Sequence, residues 1–208
     1  MHTAVDLAAL SDRVAPPALA RERTMPVSEE LSGLFVEGGL VRGRTLACQG
    51  PAATSTALAL VAPAVIAGAW LAIVDLPTIG LDAARELGVP LERTVAISTG
   101  DDLGSSQRWP DVIAAAADGF DVLLVRVPTD VSMGALRKLS VRLRQRDVVT
   151  VVLGDPGHMG CDGVLQTDAP SWSGLGEGYG HLRQREVTVK ASGRRLPGDR
   201  RCQLATPA

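Results

Sequence analysis

Apolar and polar residues follow one another along this chain in blocks that predict strands alternating with helices. Short, mostly apolar runs typical of buried strands occur at residues 45–48, 70–74, 94–97, 122–127 and 148–153. The segments predicted to be helices are residues 54–67, 81–87, 109–117 and 133–146, with Pro110 in the first turn of the third. Apolar strands that alternate with helices predict a mainly parallel sheet covered on both sides. The sequence therefore predicts an α/β fold.

The C-terminal third has a different pattern. Residues 157–180 are rich in glycine and predict a cover over the sheet, whereas residues 185–191 alternate in the manner of a strand with two different faces. One face would carry Arg185, Val187 and Val189, and the other Glu186, Thr188 and Lys190. A last strand is predicted near residues 202–204. We expect these strands to form an antiparallel edge of the parallel sheet.

The first 26 residues predict a separate helical arm, so the chain divides into an arm at 1–26 and a core with a β extension at 27–208. Apolar residues of the arm form a short stripe that ends at Pro16 and Pro17. The stripe could bind a partner or cap its own domain.

Composition excludes several classes of protein. The chain has 208 residues, of which 46% are hydrophobic and 21% charged, and its net charge of −2 argues against coating nucleic acid by bulk electrostatics. Three cysteines, Cys48, Cys161 and Cys202, predict free thiols rather than a disulfide framework. No signal peptide is recognisable, and Pro63 and Gly68 interrupt the longest apolar stretch, so we expect a cytoplasmic protein without a membrane span.

A glycine loop follows the first predicted core strand, in the frame of a phosphate-binding P-loop. The motif G-x-x-x-x-G-K-[ST] would begin at Gly50, and its last three positions read Ser55, Thr56 and Ala57. The second glycine, the lysine that reaches the phosphates and the hydroxyl that holds Mg²⁺ are all replaced. The loop therefore keeps the position and first glycine of a P-loop but lacks the residues that bind phosphate and Mg²⁺.

The order of segments between residues 31 and 153 resembles the core of the RecA recombinase. The resemblance rests on four features: Gly38-Gly39-Leu40 with Gly43-Arg44, Gly50-Pro51, Asp75 followed by residues 83–89, and Arg137-Lys138-Leu139. It implies that Pro77 stands where RecA-like enzymes have a catalytic glutamate. It also implies that Arg126 ends the Walker B strand, where a carboxylate would approach the magnesium ion. Because positioning and charge neutralisation carry phosphoryl transfer, we expect no catalytic residue, no cofactor and no metal.

The whole chain resembles the short actinobacterial branch of the ImuA family of RecA-like accessory proteins. The residues that carry this resemblance are the degenerate loop, Trp109-Pro110-Asp111-Val112, Arg126-Val127-Pro128, Trp172, Gly174-Leu175-Gly176-Glu177-Gly178, Gly180-His181-Leu182-Arg183 and Val187-Thr188-Val189. The resemblance implies an adaptor in damage-induced mutagenesis and translesion synthesis, within the SOS response. Its implied partner is an ImuB-type Y-family polymerase homologue, with RecA and an error-prone DnaE-type polymerase as further candidates.

Several residues allow both a functional and a structural interpretation. Arg126 could bind a ligand at the edge of the sheet, or fill the vacated pocket and pair with Asp75 or Asp155; we expect the pairing. The basic helix 137–146 could bind phosphate or simply be solvated. Candidates for a partner or DNA surface are Arg183, Arg185, Lys190, Arg194, Arg195, Trp172 and Tyr179. The alternative for these residues is a charged edge strand and packing of the glycine-rich cover.

Three functions remain open on the sequence. The first is a catalytically inactive RecA-like adaptor, in which DNA contact is secondary. The second is an ATP-binding switch or weak ATPase with an atypical loop. The third is a single-stranded DNA-binding module that uses the basic tail.

Overall fold

The computed structural model describes residues 23–100, 105–175, 180–196, 198 and 200–207. The strands of this part are β1 (Thr24–Met25), β2 (Leu40–Val41), β3 (Thr45–Gln49), β4 (Leu71–Val74), β5 (Thr94–Ile97), β6 (Val122–Val125), β7 (Val149–Leu153), β8 (Gly163–Thr167), β9 (Ser171–Leu175), β10 (Gly180–Ser192) and β11 (Arg200–Pro207). The helices are α1 (Glu29–Ser32), α2 (Ala53–Ile66), α3 (Leu81–Glu86), α4 (Ser105–Ala116) and α5 (Met133–Gln145).

One large sheet organises the described part of the chain. Its strands lie in the order β11-β10-β8-β3-β7-β6-β4-β5, and β9 pairs with β10 beside this path. The strands from β8 to β5 are parallel, whereas β9, β10 and β11 pair antiparallel. The predicted α/β fold with an antiparallel C-terminal edge is confirmed. The strand β3, which leads into the glycine loop, lies inside the sheet between β7 and β8.

Helices cover both faces of the sheet because the central strands are buried on both sides. Strands β4, β6 and β7 have no exposed residue. On one face α2 packs over β3 with the buried side chains Leu58, Leu60 and Val61. On the other face α4 and α5 contribute Trp109, Ile113, Leu136, Leu139 and Leu143. The C-terminal ends of the parallel strands, where Gly50 and Asp75 lie, therefore meet along one edge of the sheet.

The differences from the prediction that bear on the large sheet include two strands and one helix boundary. The glycine-rich stretch contains β8, which pairs parallel with β3, and β9, which pairs with β10. Helix α4 begins at Ser105, so Pro110 lies inside the helix rather than in its first turn. The helix extends through proline because Trp109 and Ile113 are fully buried and anchor it to the sheet.

The end of the predicted arm joins the core. Thr24 and Met25 form β1 and pair antiparallel with β2, and Met25 is 3% exposed. The rest of the arm, residues 1–22, lies outside the described residues. Among the described helices, none has the length and apolar character needed to cross a membrane.

Candidate functional site

The glycine loop after β3 is held closed by a threonine from β8. Gly50 has a φ of 99°, and the next helix starts only three residues later, at Ala53. The Ala52 amide donates to Thr167 Oγ1 at 3.1 Å, and Thr167 Oγ1 donates to the Gln49 carbonyl at 2.9 Å. A Cβ on Gly50 would lie 2.2 Å from the Thr167 carbonyl oxygen, so the loop and β8 are in direct contact. The Ala52 amide, near the start of the loop, is thus bonded within the protein.

The three altered motif positions lie in helix α2. Thr56 and Ala57 are both 0% exposed and face the core, and the Thr56 hydroxyl has no hydrogen-bond partner in the described part of the chain. Ser55 Oγ donates to the Ala52 carbonyl at 3.0 Å and accepts from Arg185 Nη1 at 2.8 Å. None of the three side chains is therefore positioned to hold a phosphate or Mg²⁺.

Asp75 directly follows β4 and connects it with the segment after β5. Its carboxylate accepts from the Thr99 amide at 2.8 Å and from Thr99 Oγ1 at 2.7 Å, and its φ is 52°. Pro77, two residues further on, is exposed and lines a cavity of about 700 Å³ beside Asp75 and Arg126. Because proline carries no acid or base, this position has no means of activating a water molecule.

Arg126 directly follows β6 and is exposed, so the expected pairing of this residue is wrong. No ion pair involves Arg126 among the residues that the structure describes, since Asp75 is bonded to Thr99 and Asp155 accepts from the Gly157 amide at 2.9 Å. Arg126 lines the 700 Å³ cavity and also a cavity of about 1070 Å³ that extends to Gly50. It places a positive charge where a Walker B carboxylate would coordinate the water shell of Mg²⁺.

Two of the predicted surface residues, Trp172 and Arg185, meet beside the glycine loop. They are directly opposite each other on β9 and β10, and the Arg185 guanidinium carbon lies 5.5 Å from the Trp172 ring centroid. Together with Ser55 they line a cavity of about 310 Å³. The sequence placed Arg185 on the same strand face as Val187 and Val189, and the structure confirms that face as the buried one. No signal in the sequence indicated that this face of the strand contacts Ser55.

The remaining basic candidates do not converge. Lys190 lies on the opposite face of β10 and pairs with Asp168 at 2.9 Å. Arg183, Arg194 and Arg195 are exposed, the last two in the turn after β10. Tyr179 lies outside the described residues. The expected division of the basic side chains between two faces and a turn is therefore what the structure has.

Helix α5 uses part of its positive charge within the fold. Arg142 and Arg146 both pair with Asp118 at the end of α4, at 2.7 and 3.0 Å. Arg137 and Lys138 are exposed on the outer side of the helix. Because the pairs are surface contacts, they contribute little to stability, on the order of 0–1 kcal/mol each.

Burial makes the thiols of this region weak acids. Burial raises the pKa of Cys48, on β3, to about 12, with a smaller contribution from the nearby Cys161. Burial also raises the pKa of Cys202 to about 11 and raises the pKa of Cys161. Since the thiolate is the nucleophile and the metal ligand, these three cysteines are poorly suited to either role.

Fold and site together define a RecA-like α/β protein whose glycine loop is closed. The crystal structure of the RadB recombinase aligns with a TM-score of 0.59 and 15% sequence identity, over 84% of this chain and 92% of that chain. At this identity the likeness shows the fold alone.

The chain belongs to the MT3502 N-terminal domain family, whose sequence model matches residues 33–158. The matched region runs from the segment before β2 to the turn after β7 and contains Gly50, Asp75 and Arg126. Nothing among the curated proteins matches the sequence.

Proposed function

We propose that this RecA-like protein acts through protein contacts and has no nucleotide chemistry. In this proposal it is an adaptor of a translesion-synthesis complex formed in damage-induced mutagenesis. Its direct partner is an ImuB-type Y-family polymerase homologue, and RecA and an error-prone DnaE-type polymerase are further candidates. DNA contact is secondary.

The observation that carries the loss of catalysis is the closed glycine loop. The Ala52 amide and the Gln49 carbonyl are both bonded to Thr167, and Thr56 faces the core at the lysine position. Pro77 and Arg126 stand at the positions of the two carboxylates. Phosphoryl transfer depends on positioning and on neutralising the charge of the transferred group. A site that lacks the lysine and both acids supports neither requirement.

The choice of complex is supported by the resemblance to ImuA-type accessory proteins. Its most distinctive segments lie at structurally important places: Trp109 is fully buried in α4, Arg126 directly follows β6 and Trp172 lies on β9. Loss of the nucleotide site leaves the RecA-like fold with its surfaces as the means of action, which suits an adaptor.

Affinity capture tests the partner. The tagged chain is recovered from DNA-damaged host cells with moderate-salt washes, and co-purifying proteins are identified by mass spectrometry against a tag-only control. We expect the ImuB-type polymerase homologue, and then direct binding of the two purified proteins. Recovery without any polymerase or recombinase would overturn the proposed complex.

A second measurement tests the absence of nucleotide chemistry. Purified protein is titrated with a fluorescent ATP analogue in the presence and absence of Mg²⁺, and we expect no saturable binding. Saturable, Mg²⁺-dependent binding would favour the ATP-binding switch instead. Tight binding of single-stranded DNA that falls steeply with salt would favour the DNA-binding module.

A further inference from the structure

A cavity of about 310 Å³ lies beside the closed loop, between helices α2 and α3 and the paired strands β9 and β10. Its apolar wall includes Leu58, Ile79 and Leu87, and its polar end includes Ser55 and Arg185. The cavity is thus large enough for one or two side chains and has chemically different ends. Pro51 and Ala52 of the glycine loop also line it, whereas Gly50 and Arg126 line a neighbouring cavity that shares Thr54 with this one.

The Arg185 guanidinium at the polar end has unused hydrogen-bond donors. Nη1 donates to Ser55 Oγ at 2.8 Å, whereas Nε is buried and has no partner in the described part of the chain. No acidic side chain among the described residues pairs with Arg185. Because Nε is shielded from solvent, an incoming group would reach the guanidinium at its terminal nitrogens, and a carboxylate is the acceptor that best fits that planar end. The arginine is therefore suited to an incoming acid.

Trp172 adds an apolar surface to the same end. Its side chain is 48% exposed even though the Arg185 guanidinium lies 5.5 Å from its ring centroid. Tryptophan and arginine are the residues most enriched among those that dominate binding energy at protein interfaces. An exposed tryptophan held by an arginine at the mouth of an apolar cavity therefore has the composition of an interface.

We propose that this cavity binds a short segment of a partner protein in which an acidic side chain lies next to a large apolar side chain. The carboxylate accepts hydrogen bonds from Arg185, and the apolar side chain enters between Leu58 and Ile79 against Trp172. The proposal rests on the adaptor function, because it assigns a surface to the contact with the partner.

The charges at the cavity select a single acid rather than a polyanion. Glu86 lies at the exposed rim on α3, and Arg185 is the only basic residue of the described lining. A phosphate backbone or a run of acidic residues would meet Glu86 and be repelled. A lone carboxylate placed at the Arg185 end avoids this repulsion, so the geometry favours a peptide over a nucleic acid.

The test uses displayed random heptapeptides selected on the full chain, followed by synthetic copies of the enriched sequences. We expect enrichment of Asp or Glu adjacent to Leu, Ile, Phe or Trp. Affinity for the synthetic peptide should fall about 30-fold or more in Arg185→Gln and about tenfold in Trp172→Ala. Arg201→Gln, which changes an exposed arginine of β11 outside the cavity lining, is the matched control and should bind normally.

A double-mutant cycle shows whether the acid meets the arginine. Replacing the peptide carboxylate by its amide should cost about 30-fold or more on the wild-type chain and much less on Arg185→Gln. The amide peptide also tests the site if Arg185→Gln fails to fold. No enriched peptide, or enriched peptides that bind Arg185→Gln and wild type equally, would overturn the proposal.

Binding of the polymerase homologue distinguishes failure of this proposal from failure of the proposed function. If it binds wild type and Arg185→Gln equally well, the cavity is not the docking site while the adaptor function stands. If it binds neither but acidic-apolar peptides are selected, the cavity binds as proposed and the named complex is wrong.

Discussion

Thr167 closes the glycine loop by accepting a hydrogen bond from the Ala52 amide at 3.1 Å. The same hydroxyl donates to the Gln49 carbonyl at 2.9 Å, on the other side of Gly50. One side chain thereby joins β8 to the backbone on both sides of Gly50. The glycine loop thus has a closed local structure that is held by hydrogen bonds within the protein.

Thr167→Val should destabilise the protein by about 2 kcal/mol, because it leaves the Ala52 amide and the Gln49 carbonyl unpaired. The matched control is Thr150→Val on β7. Thr150 is 0% exposed, and its hydroxyl has no partner among the described residues, so removing it should stabilise by about 1 kcal/mol. Urea unfolding measures both. Equal effects of the two substitutions would show that the Thr167 bonds do not hold the loop.

Gly50→Ala should be far more damaging than Gly154→Ala. Both glycines have positive φ, 99° and 92°, so alanine is strained at either position. Only Gly50 has a neighbour in the way, the Thr167 carbonyl oxygen, at 2.2 Å from the added Cβ; nothing lies within 4 Å at Gly154. The difference in unfolding free energy should exceed about 2 kcal/mol, as expected for forced overlap in a packed site. Comparable costs would mean that β8 can move away from the loop.

Thr56→Lys should not restore nucleotide binding. Thr56 is 0% exposed, so a lysine there would carry its charge into the core and destabilise by at least about 2 kcal/mol. Thr54→Lys, on an exposed position of the same helix, is the control and should unfold like wild type. Titration with a fluorescent ATP analogue and thermal unfolding are the measurements. A Thr56→Lys protein that binds Mg²⁺-ATP would contradict the closed loop.

Asp75→Ala should destabilise by about 2–3 kcal/mol, whereas Arg126→Ala should change stability by less than about 0.5 kcal/mol. The Asp75 carboxylate accepts two hydrogen bonds from Thr99, and its φ of 52° suits aspartate better than alanine. Arg126 is exposed, and no ion pair of the described residues involves it. A large loss of unfolding free energy in Arg126→Ala, measured with urea, would show that Arg126 is paired, as the sequence suggested.

Stability should fall as pH rises above 9, in part because of Cys48. Burial raises the pKa of its thiol from 9.0 to about 12. The unfolded thiol therefore ionises first, and the folded state loses about 1.4 kcal/mol per pH unit until the folded pKa is reached. Below pH 9 the thiol is protonated in both states and has no effect. Unfolding at pH 8, 10 and 11 should show a shallower decline in Cys48→Ala than in wild type; parallel declines would refute this origin.

The parallel core could be predicted because its strands are apolar throughout. Val122–Val125 is buried on both faces, and such runs between helices have few alternatives to an α/β sheet. Strand β8 was not recognised because only three of its five positions are apolar or partly apolar, and the other two are a glycine and a glutamine. Its place beside β3 is set by long-range pairing rather than by its own pattern.

Individual residues of the candidate site could be predicted, but the contacts between them could not. The frame from Gly50 located Ser55, and alternation located the face of Arg185, yet their contact joins residues 130 positions apart. The partner expected for Arg126 was wrong because Thr99, outside any motif, satisfies Asp75. Contacts of this kind depend on which strands become neighbours, and no local pattern specifies that.

Because β3 lies between β7 and β8, the large sheet cannot be completed until β8 has been synthesised. Strand β8 begins at Gly163, beyond residues 33–158 that define the family match, yet it supplies one of the two hydrogen-bonded neighbours of β3. A nascent chain that has emerged from the ribosome only as far as residue 158 would have β3 with one edge unpaired. On the ribosome the centre of the sheet is therefore finished late, and a fragment cut at the family boundary should be recognised by chaperones or aggregate through that edge.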